Sequence, residues 1–260
     1  MEKRNNYENT KDYWDAELYD SNHSFVSSYG SNLIDLLKPE SNEKILDIGC
    51  GTGDLTNQIY KQCPNIVGID KSYQMINQAS KKYPHIPFLV KDITNFNSSQ
   101  LFDAVFTNAT MHWIKQPEKA LENIYKQLKS GGRLVAEFGG KQNVQTITNE
   151  VICQLREQNI SYDNDQFPWY FPSMGEYISL MEEKGFTVKF AEYFDRPTPL
   201  VGEKGLSNWI NMFSNNMFGN LKEDTKRIII KNTENNLRPI LHGGDQWIAD
   251  YKRIRVIGIK

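Results

Sequence analysis

The chain has 260 residues, 39% of them apolar with another 17 glycines, which is enough apolar material for an ordinary globular core. Its formal net charge is −2, and no basic stripe runs along it, so the electrostatic footprint of a nucleic-acid or anionic-membrane partner is missing. Three cysteines without C-x-x-C spacing exclude a disulfide framework and a zinc site, and the composition reads as that of a cytoplasmic protein with free thiols. No segment approaches the ~18 consecutive apolar residues that a membrane span requires, and Met1 to Asn6 lacks the apolar core of a targeting peptide.

In chain order, Tyr7 to Leu37 reads as helical. Tyr13, Trp14, Tyr19, Phe25 and Val26 give it more aromatic surface than a leading helix needs, so residues 1–40 are expected to close as a lid over a ligand. A first strand at 44–49 then runs into Asp47-Ile48-Gly49-Cys50-Gly51-Thr52-Gly53-Asp54. Gly49, Gly51 and Gly53 remove side chains where the backbone must turn tightly and approach a ligand. A phosphate loop would end in Gly-Lys-Ser/Thr, and here Gly53 is followed by Asp54. A dinucleotide fingerprint would put a small residue where Asp54 stands, and a carboxylate there would repel a pyrophosphate at the helix N-terminus. Asp47 and Asp54 suit a ligand without phosphate that carries positive charge, and S-adenosylmethionine, with its sulfonium and ammonium, is one.

The strand pattern repeats at 65–70, closing on Asp70. That carboxylate lies at the ~20-residue distance expected of a ribose ligand. Another strand at 87–91 closes on Asp92 and Ile93. A fourth at 102–108 ends in Asn108 and leads to Met111-His112-Trp113, at the sheet edge where open α/β sheets bind ligands. Pro117 to Lys129 reads as a helix with proline at its start and Gly131-Gly132 beyond its end. Strands follow at 133–139, 186–194 and 251–260. The stretches 140–180 and 196–248 intervene as helical cap insertions, rich in aromatics such as Trp169, Phe171, Trp209 and Phe213, most of which are expected to form a private core.

These motifs resemble the class I S-adenosylmethionine-dependent methyltransferases, in particular the branch that includes trans-aconitate methyltransferases, which the Asn108 to Ile114 and Gly131 to Leu134 segments are similar to. The resemblance implies one domain over 1–260. Its fold is an α/β, Rossmann-like seven-stranded sheet, mostly parallel with an antiparallel last strand, and helices on both faces. It implies a cofactor site formed by Asp47, Gly49, Gly51, Gly53, Asp70, Lys71, Met75, Asp92, Ile93, Asn108 and Trp14, with Asp70 on the ribose and Asp92 and Ile93 flanking the adenine. No metal is called for. Methyl transfer from a sulfonium needs positioning and exclusion of water, and a base only if the acceptor must lose a proton. His112 is the candidate catalytic residue, as a base or as a group that orients the acceptor. That acceptor is expected to be a small molecule, carboxylate-bearing or otherwise polar. Arg196 and Arg238 could pair with a carboxylate, though surface or core-bridging ion pairs are the first reading for both. A nicotinamide-dependent oxidoreductase and a non-catalytic S-adenosylmethionine-binding module stand as alternatives.

Overall fold

The computed structural model describes residues 25–260; Tyr13, Trp14 and Tyr19 lie outside the described residues. Helix α1, Phe25–Leu37, leads into strand β1, Ile45–Ile48, whose four residues are all buried. A strand covered on both faces reads as a continuous apolar run, which is why Ile45-Leu46-Asp47-Ile48 does not alternate. Then come α2 (Asp54–Tyr60), β2 (Ile66–Asp70), α3 (Tyr73–Lys82), β3 (Phe88–Val90) and β4 (Phe102–Asn108). A 3-10 turn at Met111–Trp113, α4 (Pro117–Gln127) and β5 (Leu128–Gly139) follow. The rest of the chain forms α5 (Gln145–Glu157), α6 (Met174–Glu183), β6 (Thr187–Leu200), α7 (Gly205–Phe213), α8 (Glu223–Leu241), the two-residue β7 (His242–Gly243) and β8 (Gln246–Ile259).

The sheet order is β3-β2-β1-β4-β5-β8-β6, with β7 added beside β8. β1 through β5 pair in parallel, and β8 runs antiparallel to both β5 and β6. The sheet is therefore Rossmann-like, mostly parallel, with its last strand reversed. Strand order changes direction at β1, which pairs with β2 on one side and β4 on the other. This switch point opens a crevice at the carboxyl ends of the two strands. One face is packed by Leu33, Leu37, Ile59, Ile76 and Phe106. The other carries Leu121, Ile124, Phe138, Tyr177 and Met181. A third core, built on Leu155, Trp169, Trp209, Ile229 and Trp247, belongs to the cap.

Two expectations are corrected. The last two strands reach into the supposed 196–248 insertion, since pairing continues from Arg196↔Tyr251 to Leu200↔Trp247. Pro197 and Pro199 argue against a strand only where a ladder needs their N–H groups, and β6 is the sheet's edge, where proline is tolerated. The 140–180 insertion also shrinks. Tyr177 and Met181 of α6 are fully buried in the sheet core, so this helix covers the sheet and the cap lies nearer 144–171 and 205–241. The seven expected strands form the path of the sheet, and the two-residue β7 adds a short bridge beside β8. The residues from which a lid over 1–40 is expected lie outside the described ones or have no described side chain, and the described end of α1 packs into the core. Leu33, Ile34 and Leu37 are buried, and Arg133 fastens its end by donating from Nε to the Leu37 carbonyl at 2.8 Å and pairing with Glu43.

Candidate functional site

The turn after β1 is wired to the end of β2. Gly49 N–H and Cys50 N–H both donate to the Ile69 carbonyl, at 2.8 and 3.0 Å. Asp70 then accepts from Gly51 N–H through Oδ2 at 3.0 Å and from Ser72 N–H through Oδ1 at 2.9 Å. The second-strand acid therefore holds the glycine turn as well as standing at its mouth. Gly49 and Gly51 both have positive φ, +67° and +55°, which favours glycine. Their surroundings differ. A Cβ on Gly49 would stand 2.0 Å from Thr110 Oγ1, whereas one on Gly51 would meet no atom of the described residues within 4 Å. Packing requires glycine at 49, whereas no described residue crowds Gly51.

Asp47 sits beneath this turn, 2% exposed, accepting from Thr56 Oγ1 at 2.6 Å. Burial pushes its carboxyl up to about 7, against the pull of the Thr56 hydroxyl and with a push from Asp70. Asp54, read from sequence as suited to a cation in the ligand, is occupied within the fold. It takes Lys82 Nζ at 2.7 Å and the Tyr83 hydroxyl at 2.6 Å.

Asp92, beyond β3, accepts from Thr94 N–H and Oγ1 at 2.9 and 2.8 Å and faces Lys71 at 3.4 Å. Burial would raise its carboxyl, but the Thr94 hydrogen bonds and Lys71 outweigh it and hold it below the usual range. Ile93 and Met75 are 4% and 3% exposed, so each offers a ligand little surface. Ile93 packs with Leu46, Ile48 and Met111 in the sheet core.

Beyond β4 the chain reverses through Ala109, a non-glycine residue at φ 55° whose N–H donates to the Glu137 carbonyl at 2.7 Å. That left-handed step, unfavourable for alanine, carries Asn108 into the 3-10 turn that presents His112. The imidazole is 6% exposed, and its Nδ1 accepts from Gly139 N–H at 3.2 Å. Burial first, and then the positive charge of Arg253, hold His112 well below its ordinary pKa. It is therefore neutral, with Nδ1 occupied and its proton on Nε2. In that tautomer it donates a hydrogen bond and is a poor proton acceptor.

The aromatic segment of the cap is stitched over this histidine. Tyr170 N–H donates to the His112 carbonyl at 2.8 Å, and Lys115 Nζ donates to the Phe167 and Trp169 carbonyls. Phe171 lies 5.8 Å from the His112 ring, and Trp169 5.4 Å from Trp113. Neither arginine singled out from sequence faces this space as a free cation. Arg196 pairs with the buried Glu137, which Arg255 also holds, and Arg238 pairs with Glu203. Sequence reasoning missed Thr110 against Gly49, Thr56 on Asp47 and Arg253 beside His112. For Arg253 the signal was present: alternation along β8 puts it on the face of Trp247, Ala249 and Tyr251, so a charge falls in line with core residues.

The sequence model of a family described as a methyltransferase domain matches residues 39–184. The chain is similar to an uncharacterized methyltransferase of Schizosaccharomyces pombe, 31% identical over 261 residues, covering 96% of this chain and 99% of the relative. It is also similar to a trans-aconitate 2-methyltransferase of Klebsiella pneumoniae, 24% identical over 201 residues, covering 76% and 77%. A Haemonchus contortus phosphoethanolamine N-methyltransferase solved with S-adenosylhomocysteine superposes at a TM-score of 0.59 and 14% identity, covering 94% of this chain and 56% of that one.

Proposed function

The chain belongs to the methyltransferase-domain family, and on that premise we propose which of its residues hold the methyl donor and which receive the acceptor. The donor is S-adenosylmethionine, and the protein is an S-adenosylmethionine-dependent methyltransferase. The observation that carries the cofactor assignment is the open space before Gly51, a cradle that any Cβ would fill, walled by Asp70 at the carboxyl end of β2. The residues present fit the group: Asp70 supplies a carboxylate for ribose hydroxyls, Asp47 a buried acid below the turn for positive charge, and Asn108 a polar side chain at the end of β4. Lys71 and Asp92 pair with each other at the neighbouring strand ends and flank the adenine side of the site, while Met75 and Ile93 act from beneath as packing. When bound, the donor supplies an electrophilic methyl group whose leaving thioether departs neutral.

What remains for the chain is positioning. The acceptor is a small molecule, held between the 3-10 turn at His112 and the cap. A relative named for trans-aconitate supports a carboxylate acceptor, which needs no base. His112 orients it through Nε2–H, with Gly139 fixing the ring from the other side. The three cysteines among the described residues are free thiols, which fits a cytoplasmic enzyme. No helix among the described residues is long and apolar enough to cross a membrane.

His112→Ala is expected to lower kcat by about a hundred-fold while changing S-adenosylmethionine affinity less than about three-fold, because the hydrogen bond it removes is made to the acceptor. With S-adenosylmethionine saturating, the wild-type kcat is expected to stay level between about pH 6 and 8, since His112 is already neutral there. Steady-state kinetics across that range check both. A rising limb that disappears in the variant would make His112 a base.

A further inference from the structure

The segment between β3 and β4 meets the carboxyl-terminal half of α4, and a cavity of about 400 Å³ lies between them, within the size range of small-molecule sites. Asn95, Asn97 and Ser98 line it from the loop, and Asn123 and Gln127 from the helix. The fold uses these polar groups only in part. Gln127, 4% exposed, accepts from Ser98 N–H through Oε1 at 3.0 Å, while its Nε2 stands 3.5 Å from Asn97 Oδ1, at the outer limit of a hydrogen bond. Asn123 donates from Nδ2 to the Ile93 carbonyl at 2.9 Å, and its Oδ1 has no partner among the described residues. The Asn95 side chain has none among them either. Lys126 is the one charged side chain on this wall among the described residues, and Glu122, one turn back on α4, pairs with it. Phe96 and Leu101 supply the apolar part of the wall.

We propose that this cavity binds a neutral, hydroxyl-rich molecule of monosaccharide size, at a second site separate from the one proposed for methyl transfer. A carboxamide sets a donor and an acceptor side by side, and each hydroxyl of a polyol both donates and accepts, so neighbouring hydroxyls pair with carboxamides in both directions. Four carboxamides on two facing elements offer that pairing several times over. A charged ligand would lose water here and meet only a lysine that Glu122 already neutralises, which leaves its charge uncompensated. A wholly apolar ligand fails for the opposite reason, because it would cover the amides of Gln127 and Asn123 without replacing the hydrogen bonds they make to water. The carbon face of a sugar ring suits Phe96 and Leu101, and its hydroxyls suit the rest of the wall. The cavity also adjoins the cofactor side of the sheet. Thr94, on its wall, donates from N–H and Oγ1 to Asp92, and Asn123 holds the Ile93 carbonyl.

The test is a nitrogen-15 NMR titration of the full chain, without cofactor, using D-glucose, D-ribose and myo-inositol. Gluconate and glucosamine serve as charged counterparts and benzyl alcohol as an apolar one. At least one of the three neutral polyols is expected to bind with a Kd below about 1 mM, at least about ten-fold tighter than the charged and apolar compounds. Its binding should move the side-chain amide signals of Asn95, Asn97, Asn123 and Gln127. Asn95→Ala and Asn97→Ala should each weaken it about five-fold or more, whereas Lys126→Gln should change it less than about two-fold. Because the Asn95 side chain bonds to nothing else among the described residues, its variant decides the matter if Asn97→Ala misfolds. The proposal is overturned if all three polyols bind more weakly than about 1 mM, if a charged or apolar compound binds as tightly, if the signals that move lie elsewhere, or if Asn95→Ala binds normally. A larger loss in Lys126→Gln overturns the neutral character of the ligand and the proposal with it. None of these outcomes depends on S-adenosylmethionine, so the methyl-transfer reading stands or falls separately.

Discussion

Gly51→Val is expected to abolish S-adenosylmethionine binding, by more than about a hundred-fold, in a protein whose sheet remains folded. Two effects add. The new side chain would project into space that no atom of the described residues fills, and a β-branched residue at φ +55° carries ~1–3 kcal/mol of backbone strain. Gly49→Ala is the contrast. There a Cβ would fall within 2.0 Å of Thr110, so stability drops and the turn rearranges whether or not a ligand is present. Circular dichroism and calorimetry on the two variants separate a glycine needed for the ligand from one needed for the fold. A folded Gly51→Val protein that binds normally refutes the site.

The second large effect is a pH-dependent stability gain from Asp47→Asn. In the folded chain this carboxyl keeps its proton up to about 7, whereas its ordinary value is 3.8. A raised acid stabilises the fold fully below the unfolded value, and that contribution is lost as pH rises from about 4 to about 7. Above that range the buried charge has cost about 4 kcal/mol. Asparagine cannot ionise and can still accept from Thr56, so urea unfolding should show Asp47→Asn gaining on wild type by up to about 4 kcal/mol between pH 4 and 8. At pH 8 the same variant should bind S-adenosylmethionine more weakly, having lost the ionised acid that faces its positive charge. A stability difference independent of pH would mean that Asp47 is ionised throughout and that burial does not govern it.

The parallel half of the fold was legible because each of β1 to β4 is a short apolar run closed by a residue with chemistry, and the order of Gly49, Asp70, Asp92 and Asn108 is the order of strand ends. The reversed edge was legible only in part. Pro197 and Pro199 hid the outer half of β6, since nothing local marks a strand as an edge. Tyr177 and Met181 could not be told from cap residues, because helical spacing reports that a face is buried and not what buries it. Within the site, Asp47 and Asp54 look alike in sequence, and only the fold separates a buried acid under the turn from a partner of Lys82 and Tyr83. His112 was chosen for its place at the sheet edge; its neutral state depends on Gly139 and Arg253, residues 27 positions or more away in the chain.

The most direct test of the account is one calorimetric titration series of the intact protein with S-adenosylmethionine, S-adenosylhomocysteine and NAD, each repeated on Gly51→Val. The account predicts one-to-one binding of the two S-adenosyl compounds, their loss in the variant, and no heat with NAD. Binding of NAD in preference to both, or S-adenosylmethionine binding that survives the valine, would contradict it.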